Sequence, residues 1–194
     1  MKKRLFIALG ASEIYKDAQP YLKKLKINFN EKEVPVQWVP EENWHITLVF
    51  MGDTAVEEIP KIKEALEKVC QKAQSFKLHI SDFGGFPDTH QARVVWAGVQ
   101  RSQALLNMQS AIEAELNSVG FKVTEDQDYW PHLTIGRLRN KKNIVDSLSP
   151  VVRKQIGNLY VTEVRLYEST LAQPYPKYNV LETFSLSSET QGEN

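Results

Sequence analysis

A four-residue pattern that occurs twice constrains this chain more than any other feature. The first copy is His45-Ile46-Thr47-Leu48 and the second is His132-Leu133-Thr134-Ile135. Both lie in short stretches, residues 43–50 and 129–136, that are rich in β-branched and aromatic residues and bounded by turn formers, so both read as β-strands. Strand residues i and i+2 share a face. Each copy therefore presents one imidazole and one hydroxyl on one face. The neighbours Trp44, Ile46, Leu48 and Phe50, and Leu133 and Ile135, take the other face and anchor each strand in a core. Two such strands facing each other make one site of two histidines and two threonines.

The rest of the chain supplies enough apolar periodicity to build that core. At 194 residues it fits one domain or two small packed lobes. Lys+Arg and Asp+Glu both total 24, which argues against a surface coated for long nucleic acid but leaves room for a local basic patch. The single cysteine, Cys70, excludes an internal disulfide and fits a reduced, cytoplasmic setting. The start, Met1-Lys2-Lys3-Arg4 followed by Leu5-Phe6-Ile7-Ala8-Leu9, superficially resembles a signal peptide, yet its apolar run is short and charge returns at Glu13, Lys16 and Asp17. A first strand is the better reading. No run approaches the ~20 apolar residues of a membrane helix.

In chain order, residues 5–9 read as a strand, and Ser12 as the N-cap of a helix running to about Leu25 and interrupted by Pro20. Residues 36–39 form a short strand before the first motif. Gly52-Asp53-Thr54 ends the motif strand and opens a helix with Val56, Ile59, Ile62, Leu66, Val69 and Cys70 on one stripe. Residues 76–81 alternate as a strand, 83–91 form a loop and 94–99 a strand. A helix follows with Leu105, Met108, Ile112, Leu116 and Val119 on one face, stopped by Gly120. After the second motif, residues 137–156 read as irregular or helical and carry Arg137, Arg139, Lys141, Lys142, Arg153 and Lys154. Residues 159–167 and 178–186 read as strands, and 187–194 as a polar, disordered tail. The expected class is α+β: a single two-lobed domain over 1–186, with two mainly antiparallel sheets facing a central cleft and helices on the outer faces.

These residues resemble a known family. The paired His-x-Thr pattern is similar to that of the two-histidine phosphoesterases. The wider context narrows the resemblance to the RNA 2′,3′-cyclic phosphodiesterases, also called 2′-5′ RNA ligases. That context is Arg4-Leu5-Phe6-Ile7-Ala8-Leu9, Trp38-Val39-Pro40-x-Glu42-Asn43, Phe83-Gly84-Gly85-Phe86-Pro87, Arg93-Val94-Val95-Trp96-Ala97-Gly98-Val99, Pro131-His132-Leu133-Thr134-Ile135-Gly136-Arg137 and Val164-Arg165-Leu166-Tyr167-Glu168-Ser169. The resemblance implies a bilobal α+β fold and a reaction that opens a 2′,3′-cyclic phosphate at an RNA 3′ end, leaving a 2′-phosphate. It also implies that His45 gives a proton to the leaving group and that His132 is the base; the sequence itself leaves that assignment open. Trp44 departs from the more usual Leu, and residues 137–156 match poorly.

The residues fit such chemistry. Histidine, with a usual pKa of about 6.5, serves as acid or base near neutrality, and two on opposite sides of an in-line displacement divide those roles. Thr47 and Thr134 donate hydroxyls to phosphate oxygens. No metal or other cofactor is called for, and the two motifs offer fewer than the three or four ligands zinc takes. Arg137 is a candidate for binding RNA phosphates; strict alternation from His132 puts it on the opposite face unless Gly136 marks a bulge. Phe6, Trp38 and Phe86 are candidates for stacking a base, against the simpler reading of core aromatics. His79 and His90 read as surface residues and Cys70 as core. The expected partner is an RNA 3′ end bearing a cyclic phosphate, met by a monomer without a membrane. The competing readings are the same fold acting on a 2′-5′ linkage or a small cyclic nucleotide, and a non-catalytic nucleotide- or RNA-binding module. Running the reaction backwards, with a 5′-hydroxyl in place of water, joins RNA ends.

Overall fold

The computed structural model describes residues 1–123 and 129–188, and these form nine strands and four α-helices. The strands are β1 (Lys2–Gly10), β2 (Gln37–Trp38), β3 (His45–Ala55), β4 (Phe76–Phe86), β5 (Ala92–Val99), β6 (His132–Lys142), β7 (Gln155–Val161), β8 (Glu163–Thr170) and β9 (Lys177–Ser185). The helices are α1 (Tyr15–Glu31), α2 (Ile59–Cys70), α3 (Gln103–Ser118) and the short α4 (Val145–Leu148). The strands run β7-β4-β5-β6-β3-β1-β8-β9, with β2 added to β6, and their named pairings are antiparallel.

Two four-stranded halves meet at one residue pair, Ile46 on β3 and Leu133 on β6. Through that pair the two expected sheets become one strongly curled sheet. Only Thr162 separates β7 from β8 in the chain, although β7 stands at one end of the order and β8 next to the other; the curl reconciles the two. Helices pack on the outer face. Leu22, Leu25 and Phe29 of α1, Ile62 and Leu66 of α2, and Leu105, Ile112 and Leu116 of α3 share one buried cluster with Ile7, Ile46, Leu78 and Leu133 of the sheet. Ile46 and Leu133 are fully buried, each contributing roughly 1.5–3 kcal/mol. A one-residue slip of either strand would exchange these side chains for the His-Thr set, so the core fixes the register of the motifs. The inner face carries a separate small cluster, Phe6, Ala8 and Tyr167, with Tyr178 against it.

Several element boundaries differ from the sequence expectation, each for a local reason. Ser12 is not a side-chain N-cap; it opens a 3₁₀ turn, Ser12–Ile14, that feeds α1. Pro20 does not stop α1, because it lies exposed on the outer side while Ala18, Leu22, Leu25 and Phe29 keep the buried stripe running to Glu31. Strand β3 does not end at Gly52, which adopts φ +68° and still pairs with Leu5. Register irregularities around Leu48 and Met51 break the alternation there, so Phe50 is exposed rather than core. Residues 83–86 extend β4 instead of forming a loop, and 137–142 extend β6 instead of being irregular. The expected strand over 159–167 is two strands; Val161 and Val164 are both buried, a change of phase that marks the break. Val119 is the half-exposed C-cap of α3, followed by Gly120 at φ +97°. Of the expected tail, Ser187 bridges to Gln74, and residues 189–194 lie outside the described residues.

Candidate active site

The alternation that buries Ile46, Leu48, Leu133 and Ile135 leaves His45, Thr47, His132 and Thr134 half-buried on the inner face. Trp44 points the other way: it is buried, donates from Nε1 to the Val39 carbonyl at 3.1 Å and meets Tyr15 edge-on. The antiparallel pair Ile46–Leu133 sets His45 across from Thr134 and Thr47 across from His132. Each imidazole thus faces the other motif's hydroxyl, and the two imidazoles occupy diagonal positions, with residues roughly 7–8 Å apart and Cβ atoms somewhat closer in such a ladder.

Both imidazoles are oriented by the same device. His45 Nδ1 lies 2.8 Å from the carbonyl oxygen of Asn43, and His132 Nδ1 lies 2.9 Å from that of Trp130. A carbonyl only accepts, so Nδ1 carries the hydrogen in each ring and Nε2 is the nitrogen left to gain or lose a proton. A neutral ring offers a lone pair at Nε2, and a protonated ring offers N–H there. Each ring also rests against a phenylalanine: Phe6 on His45 at 4.9 Å and Phe86 on His132 at 4.8 Å between centroids. Of the three aromatic candidates for base stacking, Phe6 is packed with Tyr167 and Tyr178, and Trp38 meets Phe29 in the core.

Burial lowers the pKa of His45 from 6.5 to about 4; the Asn43 carbonyl works against that, and the charges of Arg137 and His132 add to it. His132 is lowered in the same way, by burial first and Arg137 last, against the Trp130 carbonyl. A phosphodiester anion seated between the rings has the opposite sign to Arg137 and raises both.

Arg137 reaches the site despite the odd spacing. Thr134 pairs with Trp96 and Gly136 with Val95, which leaves Ile135 as the extra residue of a bulge. That bulge turns Arg137 to the inner face, where it lines a narrow cleft with His45, Thr134 and Tyr178. Gly136 is required there because a Cβ would lie 2.6 Å from Val36. Arg137 and Tyr178 line this cleft together; burial pushes the Tyr178 phenol up and the Arg137 guanidinium pulls it down. The segment 171–176 lies over this cleft through Tyr175 and Pro176, tied by Gln37 to the Pro174 carbonyl and by Asn43 Nδ2 to the Pro176 carbonyl at 2.9 Å.

Sequence reasoning missed Tyr167, Tyr178 and the 171–176 segment. The available signal was alternation, since Tyr167 follows buried Leu166 and Tyr178 is the second residue of β9, but alternation alone does not separate a site aromatic from a core one. Thr47 is tied to the approach of β6 by Tyr129, whose hydroxyl donates to the Thr47 carbonyl at 3.0 Å. His79 and His90 are exposed, and Cys70 is buried with its thiol pushed up to about 12 by burial. Among the described residues no three His, Cys, Asp or Glu side chains group as a metal site, and no helix is long and apolar enough to cross a membrane.

Comparison with known proteins gives a consistent result. The family model described as the 2′-5′ RNA ligase superfamily matches residues 16–172. An Archaeoglobus fulgidus protein named RNA 2′,3′-cyclic phosphodiesterase is 32% identical over 183 residues, covering 93% of this chain and 99% of that one. Its namesake in Methanothermobacter thermautotrophicus is 29% identical over 189 residues, covering 96% and 100%. Among solved structures, the protein TT0787 of Thermus thermophilus superposes with TM-score 0.76 at 23% identity, covering 96% of this chain and 99% of that one. Escherichia coli LigT complexed with 3′-AMP superposes with TM-score 0.71 at 24% identity over the same shares. At these identities the two structures speak for the fold.

Proposed function

We infer that this chain, which belongs to the 2′-5′ RNA ligase superfamily, is an enzyme that hydrolyses the 2′,3′-cyclic phosphodiester at RNA 3′ ends to a 2′-phosphomonoester. The observation that carries the reading is the matched pair of imidazoles, each with Nδ1 on a backbone carbonyl, which reserves Nε2 for proton exchange. In the proposed reaction His132 Nε2 takes a proton from water as its oxygen bonds to phosphorus. The bond from phosphorus to the ribose 3′-oxygen breaks, and His45 Nε2–H protonates that oxygen. His45 ends neutral and His132 ends protonated; exchange with solvent resets both. Thr47 and Thr134 donate to the non-bridging oxygens, and Arg137 adds a positive charge beside them. The burial of His45 opposes its role as acid in the free protein, and the substrate's negative charge supplies the compensation.

All proton transfers are served by side chains, so the reaction is expected to need no metal. By microscopic reversibility, an RNA 5′-hydroxyl in the place of water would form a 2′-5′ linkage. The protein is proposed to act as a cytoplasmic monomer. The test is turnover of a panel of cyclic phosphates after exhaustive chelation. Conversion of 2′,3′-cyclic ends to 2′-phosphates is expected. Activity lost on chelation and restored by a divalent ion would overturn the metal-free mechanism, and no conversion of any 2′,3′-cyclic end would overturn the substrate.

A further inference from the structure

Beside His132 the inner face of the second half-sheet opens into a cavity of about 770 Å³, which the chemistry above does not use. It begins where His132 pairs with Gly98 and continues across β4 and β7, since Gly98 pairs with Ser81 and Ser81 with Gln155. Gly98 has no room for a side chain, because a Cβ would lie 2.6 Å from the Ser81 carbonyl oxygen. The floor next to His132 is therefore open, and the space falls within the ~300–1,000 Å³ typical of ligand sites.

Two tryptophans line it. Trp96 lies over Gly84, where a Cβ would strike its ring at 2.2 Å, so the indole is held against the sheet. Trp130 stands at the lip, 54% exposed, with the Arg101 guanidinium 6.0 Å from its ring centre. Between and beyond them the lining carries the amides of Gln100, Gln155 and Asn158, with Ser81 and His79 beside them. Amides both donate and accept, which suits base edges and ribose hydroxyls. Asp82 in the wall repels phosphate, whereas Arg101 at the lip attracts it. By contrast the His45 flank is filled by Phe6, Tyr167 and Tyr178 packed on one another.

We propose that this cavity binds the RNA strand on the 5′ side of the reacting end, with a nucleobase stacked on Trp130, base edges and riboses over the amide floor, and phosphates outside near Arg101. The proposal rests on the reading above for which end of the strand lies at the histidines. Aromatic side chains on which bases stack, with positive charge near the backbone, are the usual means of holding single strands; here Trp130 and Arg101 supply the two.

The test compares a tetraribonucleotide ending in a 2′,3′-cyclic phosphate with a nucleoside 2′,3′-cyclic monophosphate, in the wild type, Trp130→Ala and Asn158→Glu. The ratio of kcat/KM for the longer substrate to that for the shorter is expected to fall about tenfold in Trp130→Ala, the loss of roughly one base stack, to recover in Trp130→Phe, and to fall in Asn158→Glu, which sets a carboxylate against the strand. An unchanged ratio, or an equal fall on both substrates, overturns the proposal. Fluorescence anisotropy with the tetranucleotide ending in a 2′-phosphate decides it independently of turnover. Affinity should fall about tenfold in Trp130→Ala and fall in Asn158→Glu, and affinity equal to wild type in both overturns the groove. Wild-type protein that binds this strand but turns over neither cyclic substrate would instead overturn the proposed function.

Discussion

Lowering the pH should weaken the fold through His45 in a defined window. His45 is depressed from 6.5 to about 4 in the folded protein, chiefly by burial. Above pH 6.5 the ring is neutral in both the folded and the unfolded chain, and its stabilising contribution is complete. Between 6.5 and about 4 the unfolded chain takes up a proton that the folded chain refuses, so stability falls as pH falls. Below about 4 both states are protonated and the loss is complete. At ~1.36 kcal/mol for each tenfold change in the protonation equilibrium, the whole loss is about 3 kcal/mol, a large part of the ~5–15 kcal/mol of an ordinary domain. The assay is urea unfolding at several pH values for the wild type and for His45→Asn, which keeps a donor near the Asn43 carbonyl and cannot titrate. The difference in unfolding free energy between the two should be flat above pH 7 and change by about 3 kcal/mol toward pH 4. Inorganic phosphate should raise the lower edge of the wild-type window and shrink the loss, since an anion beside the folded ring favours its cation while the unfolded value stays at 6.5. Two curves that stay parallel from pH 8 to 4 would refute the reasoning, because the buried neutral ring would then cost nothing to protonate.

The donors to the phosphate should fail more gently than the imidazoles. Thr47→Val or Thr134→Val keeps shape and removes one hydroxyl, and kcat/KM should drop by the equivalent of ~1–3 kcal/mol; a value equal to wild type in both would remove the threonines from the reaction. Arg137→Lys keeps the charge beside the rings and Tyr178 but loses the planar fork. It should lower kcat/KM about tenfold or more while leaving the melting temperature within a few degrees, and an unaffected kcat/KM would make Arg137 a bystander.

Alternation makes most of this legible. The faces of His45, Thr47, His132 and Thr134 follow from period two and from the apolar residues between them, and the buried stripes of α2 and α3 follow from the helical period of about 3.6. The irregularities of β-sheets stay hidden. The bulge at Ile135 decides where Arg137 points, yet in the sequence it shows only as a glycine with two readings. The shifts around Leu48 and Met51 send Phe50 to the surface, against the same alternation that places Ile46 correctly. Pro20 reads as an interruption because local propensity ignores the packing that carries α1 past it. The pairing of Ile46 with Leu133, which joins the halves, is a contact between residues far apart in the chain. Nothing local encodes it beyond the likeness of the two motifs.

The most direct test of the central claim is turnover of an RNA ending in a 2′,3′-cyclic phosphate by His45→Ala, His132→Ala and the double variant. Each single variant should lose at least ~100-fold in kcat. Because both imidazoles act in one transition state, the double variant should fall far less than the product of the two losses. Wild-type turnover in the double variant would contradict the account, for the chemistry would then lie elsewhere in the protein.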